Sequence, residues 1–338
     1  MIPLKKRFKA LIVIGSIIVG LAIIIGVLNI IPPKKVVADN PFIKDESRST
    51  PMLAAHRGGA INNPENTMKA FKAAVSEFHI DIVETDLWLT KDNKLVYSHD
   101  GNIDRMSDIG LFDSSEEKHY IADYTLDELK NFNFGYGFKT KDNTYPYRDL
   151  VSKDQANRKE ILQANDLQIV EVSELFKEFY VSHPELLFIV EIKNGEEQGK
   201  IAANILDDLL TNTYPAYKSH VVIGTFHDEI SKDLKENHPT LFRGASTGDA
   251  ASFILTQLVR VNIFDSGDFV CLQIPTSYKV GIRIKLDKKH IIKRAHRRNI
   301  AVQFWTINDA DDMRHLASIG CDCIMTDDPE LFNTVFNR

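Results

Sequence analysis

Ile82-Val83-Glu84-Thr85-Asp86-Leu87-Trp88-Leu89, then Thr90-Lys91-Asp92-Asn93-Lys94, then Leu95-Val96-Tyr97-Ser98, is the stretch that decides the fold. Its first eight residues form an apolar run interrupted by two acids and a threonine, the pattern of a strand covered on both faces. A parallel partner would need a crossover of a dozen residues or more, whereas the five polar residues 90–94 suit a tight turn between antiparallel strands. Leu95–Ser98 therefore reads as a hairpin arm projecting from the strand at 82–89. Working outward, other apolar runs lie at Met52–Ala55, Leu187–Ile192, His220–Thr225, Phe242–Ala245, Phe269–Ile274, Val302–Thr306 and Cys323–Thr326, separated by amphipathic stretches. With the arm set aside, eight strands remain. Their alternation with helical stretches predicts βα units and a (β/α)8 TIM barrel, with its active site at the carboxyl ends of the strands. No fixed-period repeat interrupts this pattern. The polar, aromatic-rich stretch from about 101 to 165 has weak periodicity and predicts a small insertion after the second strand, lying over one end.

Ahead of the barrel the composition changes. Lys5, Lys6, Arg7 and Lys9 precede an uncharged apolar run from Ala10 to Ile31. About 22 residues at 1.5 Å each give roughly 33 Å of helix, enough to span a bilayer core. Pro32-Pro33-Lys34-Lys35 stops it. The heavier positive charge at the start predicts a single-pass anchor in the cell membrane, with residues 1–31 inserted amino terminus inward and the body extracytoplasmic. The rival reading is a cleaved signal peptide, for which Val36-Val37-Ala38 offers small residues at a cleavage site. Residues 32–50 read as a tether, and 51–338 as the barrel domain. Across the whole chain of 338 residues the net charge is −6, and no long basic run follows the anchor. That argues against a nucleic-acid partner. Cys271, Cys321 and Cys323 make neither a disulfide framework nor a zinc site, and read as buried free thiols.

Reactive side chains fall where the strands end. His56-Arg57-Gly58-Gly59 ends the first strand. Glu84 and Asp86, two apart in the second, point to the same side. His99-Asp100 closes the hairpin arm. Glu191-Ile192-Lys193 ends the third barrel strand, Trp305 the seventh, and Asp327-Asp328 the eighth. Glu84 and Asp86 sit among Ile82, Val83, Leu87 and Trp88, where unpaired carboxylates would be costly. Three carboxylates with oxygen donors suit a hard divalent cation, Mg²⁺ or Ca²⁺. Two histidines beside them exchange protons near neutral pH, and Arg57 and Lys193 supply positive charge for an anion. The combination points to a phosphoester. Glu65 has two readings: a helix-dipole residue behind an Asn63 cap and Pro64, or a site residue. Trp305 reads either as barrel packing or as a wall for the substrate's glycerol. His79, His119, His183, His227, His296 and His315 show no partner pattern and read as structural or exposed.

These motifs resemble the glycerophosphodiester phosphodiesterase family. The resemblance runs, in order, through His56-Arg57-Gly58, Pro64-Glu65-Asn66-Thr67, Glu84-Thr85-Asp86, Thr90-Lys91-Asp92, His99-Asp100, Glu191-Ile192-Lys193, Trp305-Thr306-Ile307-Asn308 and Thr326-Asp327. It implies a TIM barrel, Glu84, Asp86 and Glu191 as metal ligands, and His56 and His99 as the acid/base pair. The implied reaction is hydrolysis of glycerophosphodiesters to glycerol 3-phosphate and an alcohol. Cys271-Leu272-Gln273-Ile274-Pro275 and the insertion look more like the lysophospholipase D branch, which would act on membrane lysophospholipids at the same site. A non-enzymatic phospholipid-binding barrel is the alternative of a different class; it would be expected to have lost one of these histidines or carboxylates.

Overall fold

Strands buried on both faces need a core inside and a helical ring outside, and this chain supplies both. The structure, a computed structural model, describes residues 4–258 and 267–338. Its strands are β1 (Met52–Ala55), β2 (Ile82–Leu89), β3 (Leu95–Tyr97), β4 (Leu187–Ile192), β5 (Val221–Gly224), β6 (Phe242–Arg243), β7 (Cys271–Ile274), β8 (Ser277–Val280), β9 (Ile282–Lys285), β10 (Ala301–Phe304) and β11 (Cys323–Thr326). Eight of them lie side by side in the order β6-β5-β4-β2-β1-β11-β10-β7, all parallel. The two ends of that order meet where Gly244 bridges Cys271 and the Val270 amide donates to the Arg243 carbonyl at 2.8 Å. The sheet is therefore the expected (β/α)8 barrel. As expected, β3 pairs antiparallel with β2, Leu87 opposite Tyr97.

Alternation along each strand sorts its side chains. Met52, Ala54, Ile82, Leu187, Ile189, Val222, Ala301, Cys323 and Met325 pack together inside the barrel. Leu53, Val83, Phe188, Val190, Ile223, Val302 and Ile324 face the helices. Helices Met68–Ser76, Val172–Phe179, Glu196–Asp208, Asp228–Asn237, Thr247–Leu258, Lys289–Arg297 and Ala310–Ile319 provide the crossovers. The stretch from 101 to 165 is mostly turns, with small helices at Leu126–Leu129 and Arg158–Ala164 and a satellite core around Ile103, Ile121, Leu129 and Phe134. All three cysteines are buried and free.

Several expectations need correcting. Strand ends move by one or two residues in β3, β5, β6, β7 and β10; some flanking residues still bond to neighbouring strands, the Gly244 amide to Ile223 and the Ala245 amide to Cys271, both at 2.9 Å. The helix after β1 starts at Met68, not after Asn63. Thr67 is its cap, accepting from the Ala70 amide at 3.3 Å and donating to the Pro64 carbonyl at 2.7 Å. The antiparallel β8–β9 hairpin, turning at Gly281, was not expected.

The segment expected as a tether is also different. Phe42 is fully buried among the interior residues, and Asn40 donates to the Val270 and Asn299 carbonyls, both at 2.8 Å. Residues 36–44 thus close the barrel floor, the end where strands begin. A phenylalanine there covers apolar surface that the short strands leave open. Upstream, one helix runs from Leu4 to Ile30, and its Leu11–Ile30 portion is long and apolar enough to cross a membrane. Of the apolar stretch 251–264, Phe253 is buried against Phe269 and Leu255 is exposed. Residues 259–264 lie outside the described residues.

Candidate active site

The mouth is built first by a turn. After β1, Arg57, Gly58 and Gly59 all adopt left-handed φ values of 54°, 81° and 90°. A side chain at Gly58 would bring its Cβ to 2.9 Å of Ala70 Cβ, so glycine is required both by conformation and by space. The turn aims the Arg57 amide at Glu84 Oε2, 2.9 Å away, and leaves His56 beside it.

Registration then gathers the carboxylates. Asp86 lies directly opposite Glu191 across the β2–β4 ladder, and Glu84 opposite Ile189. Lys193 bridges the pair, its Nζ 2.9 Å from Asp86 Oδ1 and 2.7 Å from Glu191 Oε1. Arg57 Nε approaches Asp86 Oδ2 at 3.6 Å. Burial pushes the Glu84 carboxyl up to about 7, helped by Asp86 and Glu191 and opposed by His56 and the Arg57 amide. Glu191 is raised for the same leading reason, burial, against the pull of Lys193. Lys193 itself is raised: burial opposes its charge, but Asp86 and Glu191 outweigh it. Asp86 Oδ2 is buried without a hydrogen-bond partner. Among the described residues no three His, Cys, Asp or Glu side chains already converge at ligand spacing; Asp86 and Glu191 are bridged by Lys193, and Glu84 stands against the Arg57 amide and His56. Their chemistry nonetheless fits a hard cation, because three oxygen donors, one of them with an unsatisfied buried oxygen, share one low-dielectric pocket.

The two histidines stand on either side. His56 Nδ1 lies 2.5 Å from Asp327 Oδ1, and its Nε2 is 3.9 Å from Glu84 Oε2. Burial works against the imidazolium, yet Glu84 and Asp327 more than compensate, so the His56 pKa is raised. Asp327 is itself placed by Asn308, which donates to its Oδ2 at 2.7 Å, and its carboxyl is lowered: burial opposes ionisation, but His56 and Asn308 prevail. His99 Nδ1 lies 3.0 Å from Asp100 Oδ1. From the 101–165 segment, Arg105 grips Asp100 Oδ2 at 2.7 Å and Glu65 Oε1 at 2.6 Å. Glu65 also faces Arg57, at 3.4 Å.

The resulting open cavity is lined by His56, Arg57, Glu84, Asp86, His99, Glu191, Lys193 and Trp305, with Phe226 and Gln273 among the other walls. Every expected site residue but Glu65 lines it directly, and Glu65 joins through Arg57 and Arg105. Trp305 meets Phe226 edge to face at 6.3 Å, so it is both packing and wall. Sequence reading passed over Arg105, Asn308 and Phe226 as site residues and left Asp327 without a role. The signal for Asp327 was its place after the last strand, level with His56 after the first.

A (β/α)8 barrel with cations and acids gathered at the carboxyl ends of its strands has the site plan of a TIM-barrel enzyme. This chain belongs to the glycerophosphoryl diester phosphodiesterase family, whose sequence profile matches residues 56–331. A glycerophosphodiester phosphodiesterase of Caldanaerobacter subterraneus is 26% identical over 84% of this chain and 97% of its own. A lysophospholipase D of Rattus norvegicus is 25% identical over 84% and 85%. Among solved structures, a glycerophosphoryl diester phosphodiesterase domain from Mycobacterium tuberculosis superposes with a TM-score of 0.67 at 15% identity, covering 86% of this chain and all of that one. A phosphodiesterase from Oleispira antarctica, solved with sn-glycerol-3-phosphate, superposes at 0.60 with 20% identity, over 86% and 98%.

Proposed function

We propose that this enzyme hydrolyses glycerophosphodiesters to glycerol 3-phosphate and an alcohol, with His56 and His99 as the proton-transfer pair. The observation that carries this reading is the disposition of the two imidazoles, each with Nδ1 against a carboxylate and both lining one cavity. An ionised carboxylate only accepts, so each histidine donates from Nδ1 and keeps Nε2 for exchange with the reactants. One removes a proton from the attacking hydroxyl or water; the other delivers one to the leaving alkoxide. Arg57, which stands against Asp86, and Lys193, against Asp86 and Glu191, would supply positive charge to the phosphate oxygens. Glu84, Asp86 and Glu191 would hold a divalent cation, Mg²⁺ or Ca²⁺, which when bound supplies positive charge to the phosphate. Trp305 and Phe226 offer flat walls to the glycerol or the alcohol.

His56→Ala and His99→Ala should each lower turnover of glycerophosphocholine by about 10²–10⁴-fold, measured by phosphorus NMR. Near wild-type turnover in either variant would remove that histidine from the mechanism. Chelator should abolish the signal and added Mg²⁺ or Ca²⁺ restore it. We also read Leu11–Ile30 as an uncleaved membrane span, supported by its length and by mean hydropathy of 3.1 with none of it buried by the rest of the chain.

A further inference from the structure

The apolar helix and the catalytic mouth are at opposite ends of the barrel. The helix ends at Ile30, and Arg297 donates to the Asn29 carbonyl at 2.7 Å while Arg294 donates to the Asn29 side chain at 2.9 Å. Both arginines lie in the last turns of Lys289–Arg297, just before β10 begins. Val36 then donates to the Arg298 carbonyl at 2.8 Å, Asn299 donates to the Val37 carbonyl at 2.9 Å, and the Lys44 amide donates to Asp322 at 3.2 Å. Each of these partners precedes a strand. His56, Glu191, Trp305 and Asp327 all lie at or beyond the carboxyl end of a parallel strand, and His99 lines the same cavity.

Slack is small. Ile31 to Lys35 separates the helix from the fixed floor, and five residues span at most roughly 18 Å. From Ile82 at the floor to Asp86 in the mouth, β2 takes four steps of about 3.3 Å tilted by about 36°, roughly 11 Å. The linker is kept from reaching that far by its bonds to the floor, the Ile31 and Lys34 carbonyls accepting from Arg297 at 3.1 Å and Arg298 at 3.3 Å. Charge favours the same pose. The floor cleft is lined by Lys34, Lys35, Lys235, Arg243 and Arg298 with one carboxylate, Asp268, among them. Arg243 and Arg298 are buried, and Arg243 is paired with Asp249 and Asp268, but the exposed Lys34, Lys35 and Lys235 leave the rim cationic toward the anionic face of a bilayer.

We infer that the anchored enzyme sits with its floor on its own membrane and its mouth turned to the aqueous side. Its substrates are then phosphodiesters that reach the mouth from solution, with no acyl chain held in the same bilayer. This rests on reading Leu11–Ile30 as a span, and it narrows the substrate class of the proposed hydrolase. A lysophospholipid embedded beside the anchor presents its phosphate at the wrong end of the barrel.

The native cysteines are buried, so a single introduced thiol labels selectively. Lys35→Cys on the floor and Glu117→Cys in the segment over the mouth would each carry a fluorophore on the full chain. The labelled chains go into vesicles of phosphatidylcholine and phosphatidylglycerol containing a nitroxide-headgroup lipid, a short-range quencher. Strong quenching at 35 with little at 117 is the expected result. Equal quenching at both overturns the orientation while leaving the anchor intact, and quenching at neither overturns the anchor and the inference together. Turnover of glycerophosphocholine by the same vesicles tests the hydrolase reading separately. Lysophosphatidylcholine packed into those vesicles should be cut at least tenfold more slowly than the same lipid in detergent micelles, or not at all in either. Equal rates in the two would overturn the substrate class.

Discussion

Arg105 is the side chain whose removal tells most about the site without touching the reactants. Its guanidinium spans Glu65 and Asp100, and Asp100 in turn faces His99 Nδ1. Arg105→Ala should reduce kcat by about 10- to 100-fold, the usual effect of losing an outer partner, with the melting temperature nearly unchanged because the side chain is half exposed. Arg105→Lys, unable to fork to both acids, should recover little. A melting temperature that falls while kcat holds would make Arg105 merely structural. The residues at strand ends were legible because alternation alone puts Glu84 and Asp86 on one face and the β2–β4 register sets Asp86 against Glu191. Arg105 was not. It comes from turns without periodicity and meets Glu65 across 40 positions of sequence, a contact that no local pattern encodes.

Elements were read most accurately where burial dictates them. β1, β2, β4 and β11 begin and end as expected, because continuous apolar runs bounded by polar residues leave little freedom. The hairpin at β8 and β9 escaped notice because its short alternation of Tyr278, Val280, Ile282 and Ile284 with Lys279, Arg283 and Lys285 marks half-covered strands outside the barrel, unlike the continuous apolar runs of the barrel strands. At the helix following β1, two caps competed in the sequence, Asn63 and Thr67, and Pro64 favoured the first. The second wins because Thr67 bonds in both directions, to Ala70 and to Pro64, while fully buried. Thr67→Ala should cost about 1 kcal/mol of stability, read by urea unfolding. A change indistinguishable from zero would show that the helix does not depend on that cap.

At the scale of the molecule, Asp81 ties distant parts of the chain together. It accepts from both Arg48 terminal nitrogens, at 2.6 and 2.7 Å, from the Leu53 amide at 2.8 Å and from Arg338 at 3.0 Å. Burial works against its charge, but these partners prevail and its pKa is lowered. A depressed carboxyl stabilises the fold fully above the ordinary unfolded value near 4, and the contribution is lost as pH falls through the native value. Asp81→Asn should therefore lower the melting temperature at pH 7, and the gap from wild type should narrow below about pH 4. A gap that stays constant down to pH 2 would mean the charge is not what matters.

The strap across the floor has a consequence for a cut between the apolar helix and the barrel. Ala38 and Asp39 are exposed, while Asn40 is bound and Phe42 buried immediately after them. A protease cutting between 38 and 39 would shed the catalytic body with its stopper in place, whereas a cut after Ile43 would pull the stopper out. A chain beginning at Asp39 should thus melt within a few degrees of the full chain. One beginning at Lys44 should lose about 3–5 kcal/mol, the scale of deleting a buried phenylalanine. One gene product would then serve as two enzymes. On the pose inferred above, the tethered form would keep its mouth turned from its own membrane, while a shed form would diffuse without that constraint.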